Sequence, residues 1–406
     1  MNAPTLLSPT HAARRDGRAL CAKVATALAL TALTVGTALA GSREQAMRMH
    51  DRLNGVPPAQ SVLDAMQADI DGGNALGAAL LAIDDPNGMF YSVTLKNWVT
   101  PWTNVAQTVF APLNDYTATV IGMVRDEVPF NTVLSADIIY VGASSLGLPG
   151  YSTTDNNHYA QMETNGVNLK TGLVQAQQSA VTGLPAAATA GVLTSRAAAQ
   201  AFFSLGTNRR MFRFTMINHM CNDMTTIMDI TRPTDRIRQD VSRSPGGDSR
   251  VFLNNCVGCH SGMDPMAQAF AYYDFVFTSD PSTGNITYTP GTVVGKYFHN
   301  NTTFPTGFVT PDDSWSNRWR SGPNALMGWD PTLPGSGNGA KSLGQEIAAS
   351  DQFAQCQVTK VFQAVCLRAP SDATDRAQVA QIKSDFKSGY SLKKVFAETA
   401  VYCMGN

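Results

Sequence analysis

Residues Cys256-Val257-Gly258-Cys259-His260 put the tightest limits on how this chain can fold. Two thiols separated by two residues, with an imidazole directly after, share one face of a helical turn when they serve one group. This spacing is the attachment signature of a c-type haem. The two thiols add to the two vinyl groups, and the histidine stands under the iron as proximal ligand. With 7 Cys and 6 His in 406 residues, chance supplies about 0.002 such runs. Three other chemistries use the same residues. A zinc site needs a second cluster of ligands, and no other Cys or His pair lies at short spacing. A redox Cys-x-x-Cys sits in a thioredoxin-like βαβ unit, which the pattern lacks. A structural disulfide between such close cysteines is strained.

A haem anchored here needs a second axial ligand or an open sixth position. Met263 and Met266 follow His260 too closely to turn back over the opposite face. The candidates are Met327, in the loop Gly322-Pro323-Asn324-Ala325-Leu326-Met327, His299 in the same irregular stretch, and His219 with Met216 and Met220 on an upstream helix.

The N-terminal segment supplies an independent signal. Arg14, Arg15, Arg18 and Lys23 precede an uncharged apolar run from Val24 to about Val35, and Ala38-Leu39-Ala40 ends it. A basic region, a short apolar core and a small-residue cleavage site form a secretory signal peptide over residues 1–40. The apolar run is shorter than the ~20 residues a membrane span needs. Export and covalent haem agree, because the haem is attached outside the cytoplasmic membrane. The expected location is the periplasm, the outer envelope or the medium. No later segment has 18 unbroken apolar residues, so no membrane span is expected in the mature chain. The six cysteines beyond the leader meet an oxidising compartment, where disulfides persist. Cys356 and Cys366 are ten apart on one expected helix, about 15 Å along its axis, and cannot pair with each other. Cys366 with Cys403 could staple the last helices together and Cys221 with Cys356 could tie the motif region to the C-terminus; four buried thiols are the alternative.

Charge excludes some partners. Beyond residue 40 the chain has 26 Lys/Arg and 30 Asp/Glu, so bulk electrostatics give no nucleic-acid binding. There is no G-x-S-x-G, P-loop or G-x-G-x-x-G run. The paired acids Asp84-Asp85 and Asp312-Asp313 read as solvated turns. Met263, Met266, Phe270, Tyr272, Tyr273 and Phe275 suit a haem wall or a helix core equally.

Periodicity gives five segments. Residues 1–40 are the leader. Residues 41–185 are mostly helical, with a short strand at Ile138–Val141 and a loop over 142–157. Residues 186–278 hold the motif, with a helical stretch Ala186–Cys221 whose Phe202, Phe203, Phe212 and Phe214 face inward. Residues 279–340 are rich in Gly, Pro, Asn, Ser and Thr and read as an irregular insert with a hairpin. Residues 341–406 carry three helices, Gln352–Leu367, Asp375–Lys387 and Leu392–Tyr402. Pro370 breaks the first, Gly389 ends the second, and Ser371 and Ser391 are the N-caps.

The order of these motifs is similar to the planctomycete-type cytochrome c-like domain families. The shared features are Arg52-Leu53-Asn54-Gly55-Val56-Pro57-Pro58, Gly191-Val192-Leu193-Thr194, Arg209-Arg210, the run from Cys256 to Met263-Asp264-Pro265, Tyr273-Asp274-Phe275 and a closing helical module. The chain departs from the family wording at Gln268-Ala269-Phe270-Ala271-Tyr272-Tyr273 and at Ala364-Val365-Cys366-Leu367-Arg368. The resemblance implies a mainly α fold with a multi-helix cytochrome c-like haem module, helical flanks and an irregular, β-containing insert. It also implies one covalent haem c held by Cys256, Cys259 and His260, and exported electron transfer to a redox partner protein. It implies no substrate. Only about 100 residues are needed for a one-haem carrier, so two other roles stay open: a haem-dependent peroxidase or oxygenase, and an envelope protein whose fold the haem stabilises.

Overall fold

A computed structural model describes residues 41–204, 207–237, 249–297 and 308–405. The leader and His299 lie outside these residues. The fold is mainly helical, 56% helix against 7% strand, as the periodicity predicts.

The N-terminal helices are α1 (Ser42–Asn54), α2 (Gln60–Asp71) and α3 (Ala75–Ile83). In α1, Ala46, Met49, His50 and Leu53 recur at three- and four-residue spacing and are all buried. Gly55 ends the helix at φ 70°, just before Val56-Pro57-Pro58. Helix α4 (Asp115–Arg125) is capped by Asn114 and buried from Asp115 to Val124, so it forms the centre of the molecule. Its Asp115 carboxylate accepts from the backbone N–H groups of Arg196 (2.6 Å) and Ala197 (3.0 Å). It thereby satisfies orphan donors where a later helix starts.

Helix α5 (Asn157–Thr164) follows the expected loop. The expected continuous helix over Ala186–Cys221 is instead two, α6 (Arg196–Phe202) and α7 (Arg209–Met220). Asn208 stands between them at φ 58°, a conformation asparagine tolerates, and its side chain donates to the carbonyls of Phe270 and Tyr273. All four inward phenylalanines are buried.

Next come α8 (Ser249–Asn255) and the motif helix α9 (Val257–Ala267). The C-terminal helices are α10 (Gly339–Ala348), α11 (Asp351–Cys366), α12 (Ala373–Gly389) and α13 (Leu392–Cys403). Ser391 caps α13 as expected, whereas Asp372 rather than Ser371 caps α12. A carboxylate accepts the N-terminal N–H at least as well as a hydroxyl, and Ser371 is engaged by Asp375 instead. Tyr390, not a glycine, takes the left-handed position after α12, with its ring edge-on to Phe386.

Strands pair only locally. β1 (Ile139–Gly142) runs antiparallel to β2 (Leu173–Ala176), with Ile139 opposite Ala176. β3 (Tyr273–Phe277) and β4 (Gly284–Tyr288) form a hairpin, with Tyr273 opposite Tyr288. β5 (Ser314–Ser316) pairs with β6 (Ser336–Asn338). One apolar cluster runs from Ala46 to Ala400 and takes in Trp315, Trp319 and Trp329 of the irregular insert. The insert is therefore packed into the core.

Two disulfides close the C-terminal half. Cys221 at the end of α7 joins Cys356 on α11, and Cys366 at the end of α11 joins Cys403 on α13. The paired acids are not wholly the solvated turns expected, because Asp85 and Asp313 are buried. Asp84 meets Lys393 at 2.6 Å, Asp85 meets buried His50 at 3.2 Å, and Asp312 accepts from Ser314 N–H and Gln268. Among the described residues no helix is long and apolar enough to cross a membrane.

Candidate functional site

Cys256 is the residue before α9, and Cys259 and His260 lie in its first turn. From Val257 through Tyr273 every residue except Cys259 and His260 is buried, and Cys256 is itself half-buried. The motif side chains are thus the open sector of an otherwise enclosed helix. The enclosed sector is built by close packing. Segment 227–231 runs over Gly258, with the Asp229 N–H donating to the Gly258 carbonyl at 2.8 Å and Ser261 Oγ donating to the Asp229 carbonyl at 2.8 Å. The Trp319 indole fills the space over Gly262.

Both motif thiols are free. Cys259 Sγ points at the Met224 carbonyl, 3.4 Å away. Burial pushes the Cys259 thiol up, the Asp223 carboxylate adds to the effect, and the Arg213 guanidinium opposes it. Arg213 and Asp223 form a two-pronged pair beside it, at 2.7 and 2.6 Å.

His260 reaches one turn along its own helix. Its Nδ1 lies 3.0 Å from Oδ1 of Asp264, whose side chain is fully buried. The same carboxylate accepts from Arg209 at the start of α7, Nε to Oδ1 at 2.7 Å and Nη2 to Oδ2 at 3.1 Å. A carboxylate held by a guanidinium is an acceptor, so Nδ1 carries a proton and Nε2 is the ring nitrogen that the Asp264 contact leaves for a ligand. Among the described residues Nε2 has no hydrogen-bond partner. Sequence reading missed both partners. The four-residue offset from His260 to Asp264 was available as a local signal; Arg209 lies 55 residues before Asp264 and was not.

The structure brings Cys256, Cys259 and His260 together and describes two of the sixth-ligand candidates, His219 and Met327, while His299 lies outside the described residues. His219 is fully buried on α7, about 15 Å along the helix from Arg209. Its Nε2 meets the Tyr116 hydroxyl at 2.8 Å, and Trp102 and Phe353 flank its ring. Met327 ends the turn Pro323–Met327 and is buried. That turn is tied to the segment over Gly258 by Asn324 Nδ2, which donates to the Ile227 carbonyl at 2.8 Å. Met263 and Met266 are core residues.

The residues fit a c-type haem. Two unpaired thiols, one helical turn apart and reachable from solvent, flank an imidazole with its metal-binding nitrogen free and its other nitrogen fixed. A single axial imidazole needs no further protein cluster. Zinc would need one, and among the described residues no group of three His, Cys, Asp or Glu side chains could hold a metal ion. The strands form three separate two-stranded antiparallel pairs, so the thioredoxin context for a redox Cys pair is lacking among the described residues. No protein-family model, curated protein or solved structure matches the chain, and the functional reading rests on its own residues.

Proposed function

We propose that this chain is an exported c-type cytochrome-like protein that carries one covalent haem on Cys256 and Cys259, with His260 as proximal iron ligand, and transfers electrons to a redox partner. The observation that carries the reading is selective exposure: Cys259 and His260 alone are partly exposed in an otherwise enclosed helix, with Cys256 partly exposed just before it, and the two thiols stay free while the other four described cysteines pair. Each thiol S–H adds across a vinyl C=C, forming a C–S bond with the proton on the neighbouring carbon, so attachment needs no oxidant. Haem supplies a one-electron iron couple, which the protein tunes through ligands and burial. An apolar fringe supports the same reading. Met228 (57% exposed) and Ile230 (74%) lie over Gly258 in the first turn of α9. Exposed apolar side chains gathered at one place mark a binding surface. The two disulfides agree with export.

The Asp264 carboxylate on His260 favours a second reading at the same site, a haem-dependent oxidoreductase of peroxidase type. A carboxylate on the far nitrogen makes the ligating nitrogen more electron-rich.

The test is the optical spectrum of the chain exported together with haem-maturation machinery, oxidised and reduced, with an alkaline pyridine assay. Covalent haem with sharp low-spin reduced bands, lost in Cys256→Ala/Cys259→Ala, is the expected result. A high-spin spectrum that shifts with cyanide or peroxide selects the enzyme. Absence of covalent haem overturns both.

A further inference from the structure

We infer that Asp264 and Arg209 form a two-residue regulator of the iron's electron affinity, acting through His260 with opposite signs; this rests on the haem reading above. The geometry is a shared atom. Oδ1 of Asp264 accepts from His260 Nδ1 at 3.0 Å and from Arg209 Nε at 2.7 Å, while Oδ2 accepts from Arg209 Nη2 at 3.1 Å. The Asp264 side chain is fully buried and Arg209 is 17% exposed, so solvent does little to screen the charges. His260 thus donates Nδ1–H to an anion, and its Nε2 gains electron density for whatever it ligates. A more electron-rich axial nitrogen stabilises the ferric state over the ferrous one. Arg209 draws on the same oxygen, so it withholds part of that charge from the imidazole.

A purely architectural pair makes a different prediction. Arg209 opens α7 and Asp264 lies on α9, so the pair also joins two helices. Loosening that joint from either side would disturb the site in the same direction. The shared-oxygen arrangement requires the two substitutions to move the couple apart. Asp264 and Arg209 are positioning residues in this scheme, since neither meets the iron.

The experiment is redox titration of the full exported holoprotein, read optically, with covalent haem content measured in each sample. Asp264→Asn keeps an acceptor of similar shape without the charge. It is expected to favour the ferrous state by about tenfold, a rise of about 59 mV in a one-electron midpoint. Arg209→Gln is expected to lower the midpoint, and Arg209→Lys to restore most of the wild-type value. Unchanged midpoints at full haem content, or shifts of the same sign in both variants, overturn the inference and leave the haem assignment standing. If Asp264→Asn does not accumulate, Arg209→Gln decides: a lower midpoint supports the inference, and an unchanged or higher one overturns it. Wild-type protein without covalent haem overturns the haem assignment itself, and this inference with it.

Discussion

The indole of Trp319 rests directly on the backbone of Gly262, two residues after His260, so that a Cβ at position 262 would fall on Nε1. Trp319 is fully buried, and among the described residues its N–H has no partner. Gly262 is therefore a packing requirement: this tryptophan of the insert reaches the motif helix only because that helix has no side chain there. Gly262→Ala is expected to destabilise the protein by about 1–3 kcal/mol through overpacking, lowering the melting temperature. Trp319→Phe should cost less, because it removes an unsatisfied buried donor along with part of the ring. Equal losses in both variants would count against this packing account.

Six described cysteines should fall into two classes on substitution. Cys256→Ala and Cys259→Ala remove free, half-exposed thiols, so the apoprotein should melt within about 1 kcal/mol of the parent. Cys366→Ser/Cys403→Ser opens a cross-link spanning 37 residues, and Cys221→Ser/Cys356→Ser one spanning 135. Each pair should cost about 2–4 kcal/mol, with the longer loop at the upper end. Denaturant unfolding of the purified variants checks the ranking.

Acid should weaken the fold through two buried bases. Burial pushes Lys360 down from its ordinary value near 10.5 to about 7. Its Nζ donates to the Asn218 carbonyl at 2.5 Å and lies 4.1 Å from the centre of the Trp102 ring. Between pH 7 and 10 the unfolded chain holds a proton that the folded chain lacks. Stability therefore rises with pH across that window, by up to about 1.4 kcal/mol per unit from this group. Burial, helped by the Lys360 charge, holds His219 well below 6.5. The unfolded chain alone gains that proton as pH falls below about 6.5, so stability drops further there. Urea unfolding at pH 5.5, 7 and 9 should show a rise throughout. Lys360→Met should flatten the step from 7 to 9, and an unchanged step would assign the slope to other groups.

Gly191 takes φ 54°, and a Cβ there would run into the Val133 carbonyl. Its own N–H donates to the Ala136 carbonyl at 3.0 Å, which locks the turn. Gly191→Ala combines a left-handed backbone with a backbone clash and should cost about 1–3 kcal/mol. Thermal melting beside Gly147→Ala is the control, since Gly147 shares the positive φ but has open space around it.

Legibility followed the range of the signal. The closing helices α11, α12 and α13 were readable almost to the residue, because apolar spacing, Ser391 and Pro370 act within a few residues of the backbone they govern. The short strand β1 was readable for the same reason, and so was the incompatibility of Cys356 with Cys366 on one helix. The break between α6 and α7 was not. It is held by Asn208 donating to the carbonyls of Phe270 and Tyr273, which lie more than sixty residues away and leave no local trace.

The motif shows the same division inside one site. The spacing of Cys256, Cys259 and His260 already placed three chemical groups on one turn, since helical geometry is a property of the local chain. Their exposure, the Asp264–Arg209 grip on His260 and the seat of Trp319 on Gly262 came only with the tertiary structure. Each needs a distant segment to be brought back against α9, and burial and charge pairing depend on which surfaces meet in space. Spacing therefore names the chemistry a segment can perform, and packing decides which of its atoms are free to perform it.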